Sequence, residues 1–246
     1  MWSSQLLKDG LIIFLLVLAM TMVLQLQEKF NYAGLLLLIL SLFGILSLRF
    51  YIFYMVIIAV GGSFIVGVTG TTQSIVRRTA VLVLLGLGLT YLGVLRNATF
   101  EFETFGNLES VQRSRMDLAT TADSGFGSEI DVSTAEGAIS VVPIGFLYLM
   151  FAPFPWEMKN FRQAITLPEV LVWWSMIPLL VAGVWYTIRH RLRSSIPVLI
   201  FSLMLTLAYS IFQGNVGTAY RQRTQIQVFL FIFISVGISL ILEGRE

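Results

Sequence analysis

The chain of 246 residues has no cysteine and a single histidine, His190. The first absence excludes a disulfide scaffold, a thiol nucleophile, cysteine-ligated zinc and an iron–sulfur cluster. The second removes multi-histidine metal centres and most haem ligation. Charge is also scarce, at 12% of residues against 57% hydrophobic, with a mean hydropathy of +0.84. Such a chain does not fold in water. Sixteen basic and 14 acidic side chains leave a net charge of +2, with no basic stripe, so nucleic acid is not an expected partner. No internal repeat of useful length is visible, which gives solenoids and inverted-repeat transporters no support. The class that remains is an all-α integral membrane protein whose chemistry is confined to Arg, Asp, Glu, Tyr and backbone, with no metal or cofactor expected.

A bilayer core of roughly 30 Å needs about 20 apolar residues in helical form. Seven apolar runs answer to this: Gly10–Leu26, Ala33–Leu48, Phe50–Val68, Thr79–Leu95, Val170–Ile188, Ile196–Phe212 and Gln225–Leu242. Arg49 alone separates the second from the third, as a tight hairpin or one broken element. An eighth run, Gly137–Phe154, holds Pro143 and Pro153 and is followed by Pro155; these prolines predict interruption of the helix and a segment that enters the membrane surface without crossing. The expected architecture is therefore a polytopic helical bundle of about seven spans with one re-entrant or interfacial segment. It divides into four N-terminal transmembrane helices over 1–95, an extracytoplasmic loop over 96–168 with the re-entrant piece at 137–155, and three C-terminal helices over 169–246. Met1-Trp2-Ser3-Ser4, Lys8 and Asp9 precede an apolar run without a small-residue cleavage motif, so the first span is expected to be retained, and the chain also reads as a possible fragment. Arg77-Arg78 and the turn Arg189-His190-Arg191-Leu192-Arg193 mark the cytoplasmic side. A true eighth span is the competing topology and places the acidic segment inside.

The segment Arg96–Glu136, with eight acidic and three basic side chains, is too small for a core of its own and is expected as an irregular lid packed on the spans. Within it Asn107–Leu118 suits a short helix carrying Arg113, Arg115 and Asp117. These arginines are either solvated ion-pair partners or cations offered to an anionic substrate. Glu129, Asp131 and Glu136 are available as a general base or metal ligand, yet no spacing singles one out. Ahead of the last span, Gly214 and Gly217 permit a tight turn, and Tyr220, Arg223, Thr224 and Gln227 fall on one helical face. Arg221 and Arg223 at a positive helix N-terminus suit a phosphate; the alternative is snorkelling to lipid phosphates. In Phe151-Ala152-Pro153-Phe154-Pro155-Trp156, alternating prolines make a corner, either an interfacial anchor or a platform led by Trp156 for a sugar ring or polyprenyl chain. His190 reads as a solvated residue, and Asn97-Ala98-Thr99 matches a glycosylation sequon.

The long outward loop, the Ala152-Pro153-Phe154-Pro155-Trp156 corner and Gly214-Asn215-Val216-Gly217-Thr218-Ala219-Tyr220-Arg221-Gln222-Arg223 together resemble the C-terminal part of bacterial O-antigen and exopolysaccharide polymerases and related polyprenyl-phosphate-dependent membrane glycosyltransferases. The resemblance covers roughly residues 96–242. It implies a multi-pass protein of the bacterial cytoplasmic (inner) membrane that contacts membrane lipid. The implied substrate is a polyprenyl-diphosphate-linked glycan held by Arg221, Arg223, Tyr220, Gln227, Arg113, Arg115 and Trp156, and other envelope-assembly proteins are implied neighbours. The chain departs from that pattern in its lower number of spans. An Arg-to-Gly spacing found in some such polymerases is matched only by Arg77 and Gly88, on the side read as cytoplasmic, and is taken as accidental. The main alternative is a non-catalytic membrane subunit or assembly factor, with an ion-coupled transporter third because the spans carry almost no ionisable groups.

Overall fold

In a computed structural model of the chain, the residues described are 2–66, 72–91, 107–120, 124–158 and 165–244. Among them every regular element is helical: α1 Trp2–Glu28, α2 Tyr32–Leu48, α3 Phe50–Val66, α4 Thr72–Tyr91, α5 Leu108–Thr120, α6 Ala135–Phe151, α7 Leu167–His190, α8 Leu192–Phe212 and α9 Val216–Glu243, with a 3₁₀ turn at Pro155–Glu157. The sequon Asn97-Ala98-Thr99 and the side chains of Arg77 and Arg78 lie outside the described residues.

Four of the seven expected spans stand out among the described residues. Lys8–Glu28, α7, α8 and α9 are long and apolar enough to cross a membrane. Helix α2 is an apolar helix of 17 residues, and in α3 and α4 the described apolar stretches run over Phe50–Gly62 and Thr79–Tyr91. The 17 residues of α2 rise only about 25 Å. Two local signals set that length: the Asn31 side chain accepts from the Ala33 N–H at the start, and Arg49 leaves the helix at φ −152°, ψ 94° at the end. Arg49 thus divides two helices rather than interrupting one.

The chain falls into two compact units, Met1–Ala98 with Ile188–Met204, and Thr99–Thr187 with Leu205–Glu246. In the first, α1 packs along α2. Leu16, Ala19 and Val23 of α1 and Leu35, Leu38, Leu42 and Ile45 of α2 are buried at three- and four-residue spacing, the repeat that lines one face of a helix. At Gly44 a Cβ would lie 2.9 Å from Cδ1 of the flexible Leu15 side chain. The Asp9 carboxylate, buried on α1, accepts from Arg49 Nη2 at 2.7 Å, and Arg49 Nη1 donates to the Tyr51 hydroxyl at 2.9 Å. This pair fixes the register of α1 against the α2–α3 joint.

In the second unit α6 runs unbroken from Ala135 to Phe151 with Pro143 inside it, which corrects the expectation that Pro143 interrupts the helix. Proline removes one N–H and leaves the carbonyl four residues back, that of Ile139, without its helical donor. Ile139 is among the most exposed apolar residues, so that carbonyl sits on an outward face. Thr134 caps the start by accepting from the Gly137 N–H. Helix α7 meets α9 at Gly183 and Gly237: a Cβ on the first would fall 1.8 Å from the Phe233 carbonyl oxygen, and one on the second 2.1 Å from that of Leu179. Gly145 of α6 likewise admits the Ser210 backbone of α8. Small residues give the backbone-to-backbone contact on which helix association in lipid depends.

Candidate functional site

All of the geometry that follows belongs to the second unit. The expected short helix is present as α5, with the Asn107 side chain accepting from the Glu109 N–H. Its two arginines separate. Arg113 is exposed and lies 3.8 Å from Glu109 in a solvated pair. Arg115 is 1% exposed, although it is drawn from the most acidic stretch of the chain. Its Nη1 donates to the Ile211 and Gln213 carbonyls at 3.0 and 2.6 Å, and Nη2 reaches those of Phe126 and Gly127 at 3.4 Å. The fork therefore satisfies orphan carbonyls at the C-terminus of α8, where the helix dipole favours a cation. Burial lowers the Arg115 pKa from its ordinary value. Gly127, at φ +63°, and Gly214 make room for it; a Cβ on either would press on Arg115 itself, at 2.4 and 2.5 Å.

Backbone pairing completes this dock. The Phe126 N–H donates to the Gly214 carbonyl, and the Val216 N–H to that of Ser124, forming an isolated antiparallel bridge between Gly125 and Asn215. The Asn215 Oδ1 accepts from the Gly217 N–H and its Nδ2 donates to the Leu118 carbonyl. Two of the first N–H groups of α9 are thus satisfied by the protein itself. Helix α5 and residues 124–127 are docked on the α8–α9 corner, and α5 is a regular helix of 13 residues where little regular structure was expected.

Arg223 repeats the logic on another helix end. It is wholly buried, and Nη1 donates to the Met150 and Ala152 carbonyls at 3.1 and 2.8 Å. The indole N–H groups of Trp173 and Trp174 donate to the carbonyls of Met150 and Phe151 at 2.8 and 3.1 Å. The last carbonyls of α6 are therefore held by three side chains from α7 and α9. Arg223 also lies 4.9 Å from the centroid of the Tyr220 ring, so the expected face of α9 does form. Its Nε and Nη2 have no hydrogen-bond partner among the described residues. Gln227 is buried on the same helix, and Arg221 is partly buried.

Beside the end of α6 the chain turns through a cis Ala152–Pro153 bond into the corner. The Phe154 and Trp156 rings stack at 5.1 Å and 17°, while Trp174 stands 6.3 Å from Phe154 and 6.5 Å from Trp156, tilted by 47° and 45°. The tilt opens a wedge. Phe151, Phe154, Trp156, Trp174, Ile177 and Pro178 line a recess of about 440 Å³. Trp156 is 74% exposed at its edge.

Two exposed carboxylates flank the corner, neither of them singled out by the sequence. Glu157 accepts from the Tyr148 hydroxyl at 3.1 Å, and Tyr148 meets Phe154 edge-on at 5.4 Å. Glu169, four residues before Trp173 on α7, accepts from the Tyr220 hydroxyl. The structure thus joins Tyr220 and Arg223 to Glu169, and brings Trp156 together with Trp174. Arg113 stands apart as a solvated residue, and Arg115 belongs to the dock. Glu129, Asp131 and Glu136 are exposed, and no group of three or more acidic or histidine side chains able to hold a metal occurs among the described residues. Compared with known proteins, the chain matches no family model, no curated protein and no solved structure.

Proposed function

We propose that this protein is a surface-polysaccharide polymerase or glycosyltransferase that uses an undecaprenyl-diphosphate-linked oligosaccharide at the outer face of a bacterial cytoplasmic membrane. One observation supports this reading above the others: an aromatic corner at the end of α6, lined also by Trp174 of α7, with two exposed, tyrosine-bound carboxylates, Glu157 and Glu169. Glycosyl transfer needs a base to take the proton of the acceptor hydroxyl and a cation to receive the diphosphate as the bond to the anomeric carbon breaks. Glu169, aimed by Tyr220, fills the first role. Arg221 and Arg223, in the first turns of α9, are the cations offered for the second.

The test is deletion of the gene with complementation by the wild type, Glu169→Gln and Arg221→Lys, reading polysaccharide chain length on gels. The reading expects loss of long chains on deletion, rescue by the wild type and no rescue by Glu169→Gln. Normal polymer in the deletion strain refutes it. A non-catalytic subunit is then the better assignment, favoured by the fact that both buried arginines serve backbone carbonyls.

A further inference from the structure

We propose that Tyr220 is a gate over Arg223: latched to Glu169 it seals the guanidinium inside the unit, and swung aside it admits an oxyanion to the edge that the protein leaves unspent. The gate deepens the reading above, because it controls access to one of the two cations named there. It rests on that reading only for which oxyanion binds in the cell.

The unspent edge carries the inference. An arginine side chain offers five N–H donors and keeps its charge. Arg223 is wholly buried, yet only Nη1 is used, on the Met150 and Ala152 carbonyls. Nε and Nη2, which together form one edge of the guanidinium, have no hydrogen-bond partner among the described residues. The ion pairs among those residues join Arg49 to Asp9 and Arg113 to Glu109, and neither includes Arg223. A buried charge without a counter-charge is costly, and a buried donor left unsatisfied demands a reason. Arg115 is the contrast, since at equal burial its two Nη groups reach four carbonyls. Arg223 is thus half structural. Its other edge presents the parallel N–H pair that a carboxylate or phosphate takes through two oxygens. A cation is excluded there by charge, and a neutral hydroxyl would leave the charge uncompensated.

Tyr220 supplies the cover. It precedes Arg223 by three residues on α9, which puts both on one face, and its ring centroid lies 4.9 Å from Arg223 Cζ. The ring is partly buried, and its hydroxyl donates to the exposed Glu169 carboxylate. The phenol therefore links the buried guanidinium to the surface. The latch is a single hydrogen bond to a surface side chain, where water competes for both partners. The guanidinium, by contrast, cannot follow the phenol outward. Its Nη1 is pinned to the end of α6, where the Trp173 indole donates to the same Met150 carbonyl. Rotation of the Tyr220 side chain thus uncovers a fixed cation, and the same movement releases the Glu169 carboxylate. One rotation makes an anion site and a base available together.

The experiment treats the full chain with phenylglyoxal, which modifies guanidinium groups that it can reach, and maps the modified arginines by mass spectrometry. The protein is held in phosphatidylcholine nanodiscs, with or without phosphatidylglycerol. Exposed Arg113 reports reagent activity, and buried Arg115 reports the integrity of the unit. The expected result is slow modification of Arg223 in the wild type. Tyr220→Phe, which removes the latch and keeps the ring, should accelerate it several-fold and Tyr220→Ala further, with Arg115 unchanged. Inorganic phosphate, compared with sodium chloride at equal ionic strength, should slow the reaction of Arg223 several-fold in both variants and leave Arg113 alone, which marks a free oxyanion as the ligand. Protection by phosphatidylglycerol without added phosphate marks a lipid headgroup as its source. An Arg223 no faster in either variant, acceleration shared equally by Arg115, or protection from neither source overturns the inference. Because labelling reads access rather than synthesis, normal polysaccharide in the deletion strain would refute the enzyme and leave the gate standing. An Arg223 indifferent to Tyr220, beside loss of polymer with Glu169→Gln, would refute the gate and leave the enzyme.

Discussion

Replacing Gly183 by alanine tests the α7–α9 seam most directly. An added Cβ would stand 1.8 Å from the Phe233 carbonyl oxygen, where about 3.3 Å is the closest comfortable carbon-to-oxygen approach. The helices must therefore part locally by about 1.5 Å. A gap of 0.5–1 Å already forfeits about a quarter to a half of the dispersion well between facing atoms, so the seam loses most of its contact. Alanine returns about 0.5–1 kcal/mol by restricting the unfolded backbone, against an overpacking loss of about 1–3 kcal/mol or more. The expected net effect is a loss of about 1–2 kcal/mol, read as a lower thermal unfolding midpoint in detergent. Gly237→Ala should behave alike, since its Cβ would meet the Leu179 carbonyl oxygen at 2.1 Å. The double variant carries the sharper test, because one separation relieves both clashes. It should cost little more than either single change, a clear departure from additivity. Gly86→Ala in α4, with open space around the position, is the control and should be neutral or slightly stabilising. Wild-type stability in Gly183→Ala, or strict additivity in the pair, would refute the close contact.

Arg115→Met should strip the Ile211 and Gln213 carbonyls of their donor and cost about 1–3 kcal/mol for each group left buried and unpaired, seen as faster proteolysis of the segment around Gly125. Arg49→Gln should destabilise the first unit by several kcal/mol because it abandons a buried Asp9 carboxylate, while the double change with Asp9→Asn should recover part of that loss, measured as a mutant cycle of unfolding midpoints. The Asp131 carboxylate is held below its ordinary pKa first by the Ser133 backbone N–H and then by the Ser133 side chain. Its small contribution is therefore present above a pH of about 4 and fades as pH falls through the lower folded value, a trend that the Ser133 amide exchange rate should follow and Asp131→Asn should abolish.

Much of the scaffold was legible because apolar length and periodicity report local physics. The runs over 10–26, 170–188, 196–212 and 225–242 all became helices long enough to cross a membrane, and the Asn107–Leu118 helix formed within two residues of its expected ends. Pro143 misled because proline forbids one hydrogen bond, and whether that breaks a helix depends on where the orphaned carbonyl points. The partners of the arginines were invisible for another reason. Arg115 bonds 96 and 98 positions away and Arg223 71 and 73, and what they bind is backbone, which has no residue type to search for. The Tyr220–Glu169 contact was invisible likewise, since the two residues lie 51 positions apart. Trp156 and Tyr220 are marked locally, by turn chemistry and by helical spacing.

The stitched end of α6 also bears on how the protein is made. Its terminal carbonyls wait for Trp173, Trp174 and finally Arg223, which follows Ala152 by 71 residues. At about 5–20 residues per second on the ribosome, on the order of 4–14 s pass before the last donor is synthesised. Throughout that interval the Ala152 carbonyl lacks its donor, which hydrocarbon does not tolerate. Nascent α6 must therefore keep that end in contact with water or with the insertion machinery, and it settles only when α9 arrives. A ribosome stalled before residue 223 should leave Ala152 and Pro153 reachable by aqueous probes, and release of the finished chain should close them.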